Sequence, residues 1–326
     1  STNSADLGGD AMAMALDAGA ELTDMEFVQF EPSAAVWPLA IAGKSVITTL
    51  FYEGAVLRNG KGERFMFRYS DKGECADKDV LSFAIASEIA AGRGTEHGGV
   101  AFDASGVGRE RLEEAYSAYV KRYRAVGMDI AEQAMEIAPA AHTSLGGVYA
   151  RHDCSTSAEG LFVCGETLGG LHGANRIGGN AGLETMVFGR RAGCSAAAYM
   201  DTFSSEPADC TDEISDAAAT VNIDALRAEL TKIVGGALGV IREAGKLEQA
   251  KTELERMLEQ IPESGCYAQQ RLRNDTLTAY AVTLAALERK TSTGCHVRTD
   301  SAGEPEKYRV NIRCENGRAV PCHAEI

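Results

Sequence analysis

The segment from Gly160 to Gly193 constrains this chain more than any other. It runs Gly160-Leu-Phe-Val-Cys-Gly-Glu166-Thr-Leu-Gly-Gly-Leu-His172-Gly-Ala-Asn-Arg176-Ile-Gly-Gly-Asn180-Ala-Gly182 and continues into an amphipathic stretch. The order is a short apolar run at Leu161–Cys164, a glycine-rich loop, then a helix predicted to start near Gly182. Glycines let backbone approach a flat or anionic ligand closely, and the N–H groups at a helix start favour an anion or a polarised carbonyl. Strand, acidic residue, glycine loop and helix start together suit a nucleotide or a flavin. The competing reading is tight packing, which glycine-rich turns also serve.

Composition narrows the classes. The 326 residues are 45% hydrophobic and 24% charged, which suits packed globular units, about two by length. The formal charge of −15, with no basic block, argues against nucleic-acid binding. Apolar stretches such as Ala34–Ala42 fall short of the ~20 residues that span a bilayer, and no signal peptide is expected at Ser1, since no basic segment precedes an apolar core there. No direct membrane insertion is expected, and any membrane contact is assigned to a partner. The nine cysteines form no C-x-x-C pair, so inert thiols in a reducing cytoplasm are expected, with no metal site. Gly43-Lys44-Ser45 is no phosphate loop, because Pro38 stands where such a loop needs glycine.

Periodicity fills in the rest. A helix start is placed at Asp10, then a strand-like run over Leu22–Phe30. Val46–Tyr52, Ala55–Leu57 and Arg64–Phe67 around the turn Asn59-Gly60-Lys61-Gly62 predict a hairpin. Lys78–Ala91 reads as a helix stopping near Gly92, Gly99–Phe102 as a strand, and Arg109–Val126 as a charged helix. Residues 204–219 read as an acidic linker. Leu226 to Ile241 (with Gly245 as a stop), Leu247–Leu258 and Gln269–Leu287 predict a three-helix bundle, followed by an alternating tail from Cys295 to Ile326.

Phe162-Val-Cys-Gly-Glu166, His172-Gly-Ala-Asn-Arg176-Ile-Gly-Gly-Asn180 and Val187-Phe-Gly-Arg190 resemble the second FAD-binding segment of the fumarate reductase/succinate dehydrogenase flavoprotein family, which includes L-aspartate oxidase. Further matches follow in the family's order. They are Gly9-Asp10 with Asp24–Phe30, Gly62–Met66, Ala140-Ala-His142 with Gly146-Gly147, and Arg289 to Asp300.

The resemblance implies an α+β fold: an α/β flavin-domain remainder, an inserted α+β capping domain and a C-terminal three-helix bundle. The implied divisions are 1–40 and 142–203 for flavin-domain segments, 41–141 for the cap, 204–222 for the linker and 223–326 for the helical domain with its β tail. The family's opening G-x-G-x-x-G segment has no match here. The expectation is therefore a C-terminal portion, split subunit or processed product, inactive alone, completed by an N-terminal FAD-binding half or separate chain.

By the same resemblance the chain is expected to be an FAD-dependent oxidoreductase, cytoplasmic, passing a hydride between flavin N5 and a carbon next to a carboxylate. The implied partners are a small carboxylate-like substrate and an electron-transfer subunit. Asp10, Glu166, Asn180, Ala181 and Gly182 carry over as FAD contacts, and His142 and Arg176 as the carboxylate-binding pair. Lys78 stands where the family has its proton-moving arginine, and Arg64 keeps its context with either a catalytic or an ion-pair role. Glu31 and Ser33 replace the His and Thr of a His-Pro-Thr motif, and Thr48 falls on the Glu of a Thr-Glu pair. These departures argue against fumarate or succinate as the substrate, since a carboxylate at Glu31 repels a dicarboxylate unless protonated or paired and favours a cationic or neutral substrate group instead. They also leave a second class of function, a non-catalytic binding or assembly subunit on the same fold. The third reading is a nucleotide-binding protein with no redox role, resting on the glycine loop alone. Near the C-terminus Thr291 and Thr293 replace a charged pair, while His296 and Arg298 keep their places, which suits a buried hydrogen-bond role.

Overall fold

The computed structural model describes residues 1–4, 6–202 and 220–325. The predicted linker therefore lies almost wholly outside the described residues. In chain order the elements are α1 (Asp10–Asp17), β1 (Leu22–Thr23), β2 (Val28–Trp37), β3 (Val56–Arg58), α2 (Lys78–Glu88), β4 (Val100–Asp103), α3 (Arg109–Ala115) and α4 (Ser117–Arg124). They continue with β5 (Met135–Ser144), β6 (Gly147–Val148), α5 (Asn180–Thr202), α6 (Ile223–Ala237), β7 (Ile241–Arg242), α7 (Ala244–Gln260), α8 (Tyr267–Glu288), β8 (Val297–Arg298), β9 (Tyr308–Glu315) and β10 (Arg318–Glu325). The fold class is α+β, as the sequence implied.

The chain divides into two compact units: residues 1–4 with 29–142, and residues 5–28 with 143–326. The first is built on a four-stranded sheet in the order β2-β5-β4-β3. Its core gathers Val46, Leu50, Phe65, Met66, Ile85, Phe102 and Tyr123. The second unit holds the antiparallel sheet β10-β9-β1-β6 and the helices α6, α7 and α8. α8 is the most buried of these, with Thr276, Thr283 and Ala285 fully enclosed. Asn222 caps α6, its side chain accepting from the Ala225 N–H at 3.1 Å.

Several expectations need correction. The hairpin around Asn59 does not form: β3 pairs with β4, and only an isolated Arg58–Arg64 bridge remains of the proposed partner. Both flanks instead curl into 3₁₀ turns, Thr48–Glu53 and Met66–Arg68. The reason lies in the pattern. Leu50 with Phe51, and Phe65 with Met66, are consecutive pairs buried together, whereas successive strand residues point to opposite faces. The strand over Leu161–Cys164 reduces to a single bridge, Phe162 to Ser155, with the Val163 N–H donating to the Cys154 carbonyl. The run Leu22–Phe30 is split between β1 and β2, with Asp24 at positive φ between them. The charged helix breaks at Tyr116 (φ −123°, ψ 26°), whose hydroxyl donates to Glu53 at 2.6 Å. Gly245 is no helix stop; it lies inside α7, and α6 ends earlier, at Ala237.

Candidate functional site

In the first unit, period-two alternation along β2 places Glu31 and Ser33 on one face, and α2 begins at Lys78. The Lys78 ammonium donates to Glu31 Oε2 at 2.6 Å, a short charge-assisted bond. Ser33 Oγ lies 3.2 Å from Glu31 Oε1 and 2.6 Å from the Val46 carbonyl. One hydroxyl hydrogen serves only one of these acceptors at a time. Glu31 is 4% exposed, while the Lys78 side chain is 28% exposed, so the lysine is the accessible partner. Thr48, half-buried, opens the 3₁₀ turn that follows Val46.

Arg64 forms a two-pronged pair with buried Glu74 (2.9 and 2.8 Å) and lies over the Phe67 ring. Burial alone would raise the Glu74 carboxyl. The Arg64 hydrogen bonds, and those from the Leu57 and Glu74 backbone, outweigh it and hold the group below its ordinary value. In the same unit, fully buried Glu88 accepts from Arg93, Arg68, Tyr69 and Asn59 and is held down to about 2, chiefly by Arg93.

His142 lies near the end of β5, half-buried. Its Nδ1 is 2.8 Å from Thr2 Oγ1, its carbonyl accepts from Asn3 Nδ2, and the Thr2 N–H donates to the Ala141 carbonyl. The first residues of the chain thus run along β5 and hold the His142 ring by its Nδ1 side. Thr2 was not singled out from the sequence. A hydroxyl 140 residues away leaves no local signal.

In the second unit, Asp10 opens α1 and accepts from Asn274 of α8 at 2.8 Å. Glu166 lies in a short turn, exposed, with Oε1 accepting from the Ser144 N–H at 3.0 Å. The glycines divide into two groups. A Cβ on Gly146 or Gly147 would lie 2.2 Å from the Asp24 carbonyl or 2.3 Å from the Thr167 carbonyl, so these glycines serve packing. A Cβ on Gly173, Gly178, Gly179 or Gly182 would meet nothing within 4 Å. Within the Gly160–Gly193 segment a Cβ on Gly169 would likewise lie 2.5 Å from the Gly147 nitrogen, whereas the open group flanks Arg176 and the start of α5.

Asn180, Ala181 and Gly182 form the first turn of α5, which carries no acidic residue there and so keeps a positive end. Arg176 is buried. Beside this turn, buried Glu184 meets His172 Nε2 at 3.3 Å, while its other oxygen has no partner among the described residues. Glu184 carries no sequence signal that separates it from an ordinary helix acid, and His172 enters the sequence reading only as part of the glycine-loop motif. Open glycines, a positive helix end and an unsatisfied buried carboxylate oxygen fit a flavin, whose ring N–H groups can donate and whose phosphates favour N–H groups. Among the described residues no group of three or more potential metal ligands occurs.

The C-terminal motif is a buried polar network of the same unit. Arg289 pairs with Glu26 and lies between the Phe27 and Tyr308 rings. Arg242, fully buried, donates to the Glu26 carbonyl (2.7 Å) and to His296 Nδ1 (2.9 Å), whose Nε2 side meets the Arg289 carbonyl. Arg298 donates to the Ala286 carbonyl and to Asp300. Burial first, then the cation of Arg242, pushes His296 down to about 3, which keeps it neutral with the proton on Nε2. Burial raises Glu26 to about 7 against the pull of Arg289. Thr291 acts as a neutral donor, its hydroxyl and N–H both directed at Glu306.

A family model described as FAD binding domain matches residues 1–181, and one described as fumarate reductase flavoprotein C-term matches residues 227–311. The chain is 38% identical to a fumarate reductase (CoM/CoB) polypeptide of Methanothermobacter marburgensis, over 95% of this chain and 60% of that protein. It is 32% identical to an L-aspartate oxidase of Acinetobacter baylyi, over 90% and 55% respectively. Among solved structures, Mycobacterium smegmatis Sdh1 in complex with UQ1 matches at TM-score 0.83 and 30% identity, over the whole of this chain and 59% of that one. A quinol-fumarate reductase with menaquinol molecules matches in fold at TM-score 0.87 and 24% identity, over the whole of this chain and 63% of that one. The chain thus spans about 60% of the length of the first curated relatives it matches.

Proposed function

Because the chain belongs to the FAD-dependent fumarate reductase/succinate dehydrogenase flavoprotein family, we propose that it is the substrate- and flavin-contacting portion of an oxidoreductase acting on a carbon next to a carboxylate. FAD, when bound, supplies hydride exchange with carbon. The residues of the chain do the rest. In the second unit, Asn180, Ala181 and Gly182 offer the start of α5 to the flavin, with Glu166 and Asp10 as further contacts, and Arg176 binds a carboxylate. In the first unit, His142, held by Thr2, binds a carboxylate, and Lys78 moves the proton that accompanies hydride transfer. Thr48, Ser33 and Glu31 line the same strand-and-turn region, and Arg64 serves as the partner of Glu74.

The observation that carries this reading is the open group of glycines around buried Arg176 at the start of α5. Positioning and charge neutralisation are what such a reaction needs from a protein. A carboxylate substrate and an electron-transfer subunit complete the proposal for the whole protein. In the full-length enzyme, His142→Ala and Arg176→Ala should each lower kcat/KM for an unsaturated carboxylate by about 100-fold or more, the scale expected when a charge-assisted contact is lost. Unchanged kcat and KM in both variants would contradict it. A second reading, a non-catalytic module, draws on the engagement of Lys78 and Arg64 by carboxylates of the protein itself. It predicts bound flavin whose electrons no carboxylate removes.

A further inference from the structure

Glu31 and Lys78 lie 47 residues apart in sequence, on β2 and α2, and meet at 2.6 Å. The carboxylate is almost completely buried, its second oxygen faces Ser33, and the Lys78 side chain is the more exposed member of the pair. A buried carboxylate with one oxygen on an ammonium and the other beside a hydroxyl is oriented on both sides. A substrate group would have to displace Lys78 to reach it.

We propose that Glu31 is the positioning residue for Lys78, holding the ammonium at the mouth of the cluster and cancelling its charge. Lys78 then serves as a directed proton donor and not as a carboxylate clamp. This rests on the oxidoreductase reading above and deepens it. The unsaturated carboxylate of the proposed function would then turn its reacting carbon toward Lys78, with its carboxylate charge met elsewhere. FAD, when bound and reduced, would supply the hydride, two electrons and one hydrogen, to one alkene carbon. The Lys78 N–H bond breaks as a C–H bond forms at the neighbouring carbon, and the electron pair of the broken bond stays on nitrogen. The product is the saturated carboxylate, and the neutral amine regains its proton from water beside the Glu31 carboxylate.

Two readouts test the pair separately from the reading beneath it. On this chain, limiting acylation with an acetyl ester, read by mass spectrometry, reports Lys78 against exposed Lys61. Glu31→Gln should raise the Lys78 rate relative to Lys61 about fivefold or more, because Nζ is then no longer held on a buried carboxylate. Glu31→Asp, which keeps the charge on a shorter arm, should give an intermediate rate and guards against misfolding of the first variant. Equal Lys78 rates in wild type and both variants would overturn the pairing. In the full-length flavin-loaded enzyme, Glu31→Gln should lower kcat about tenfold or more with KM held within about twofold, and should add nothing in a Lys78→Met background. A rise in KM in both backgrounds would overturn the positioning role, because Glu31 would then be touching substrate itself. Wild type that turns over no unsaturated carboxylate would sink the oxidoreductase reading, with the acylation rates still deciding the pair.

Discussion

Arg64 shows how far a single residue can be read in sequence. Its position in Gly62-Glu-Arg64-Phe-Met66 suggests either catalysis or an ion pair, and nothing local separates the two. The partner, Glu74, lies ten residues on, and its own burial depends on packing around Phe65 and Met66 that the one-dimensional pattern does not contain. The residue-scale expectation is a stability effect. Arg64→Ala strands a buried carboxylate, so the first unit should lose about 2–3 kcal/mol. That is below the ~3–5 kcal/mol of a fully buried pair, because Arg64 is itself half-exposed. Urea unfolding of the variant checks it, and a midpoint equal to wild type would mean that the pair contributes nothing. The same limit applied to Lys78 and Glu31. Each is legible as a departure from the family's pattern, yet only the fold brings the two side chains together.

Element by element, long periodic segments were legible and short apolar ones were not. α2, α7 and α8 fall close to where apolar spacing puts them, because a helix announces its buried face every three to four residues. The hairpin around Asn59 failed because adjacent apolar residues can both reach a core from a 3₁₀ turn, which period-two reading cannot foresee. The network joining Glu26, Arg242, Arg289 and His296 was anticipated only as a buried hydrogen-bond role, and its titration gives a sharper expectation.

Between pH 3 and 6.5 the unfolded chain binds a proton on His296 that the folded chain does not, so this group makes stability rise with pH. Glu26, raised from 4.5 to about 7, keeps a proton in the folded chain that the unfolded chain has lost, so it makes stability fall with pH across that window. The slopes oppose each other between 4.5 and 6.5, and only the histidine slope remains below 4.5. Urea midpoints of the wild-type chain should therefore stay nearly level in that window from these two groups and drop below it. In Glu26→Gln the decline should begin near 6.5, the ordinary histidine value. Identical profiles would contradict the assignment.

At the scale of the molecule, the chain has two compact units, an excess of acidic residues and, among the described residues, no helix long and apolar enough to cross a membrane. Fold class and family were legible because ordered motifs run through most of the chain. For the candidate site the sequence proposes residues, and the structure adds pairings that the sequence does not carry. Thr2 beside His142, Glu184 beside His172, and Glu31 on Lys78 all join separate segments. The glycines make the same point, since only packing separates those that fill from those that face open space.

The most direct test of the central claim is an anaerobic absorption measurement on the flavin-loaded, full-length protein. The flavin band near ~450 nm, bleached by limiting dithionite, should return when an unsaturated carboxylate is added and stay bleached in Lys78→Met. A band that stays bleached in wild type with every unsaturated carboxylate tried would contradict the account and leave the non-catalytic module in its place.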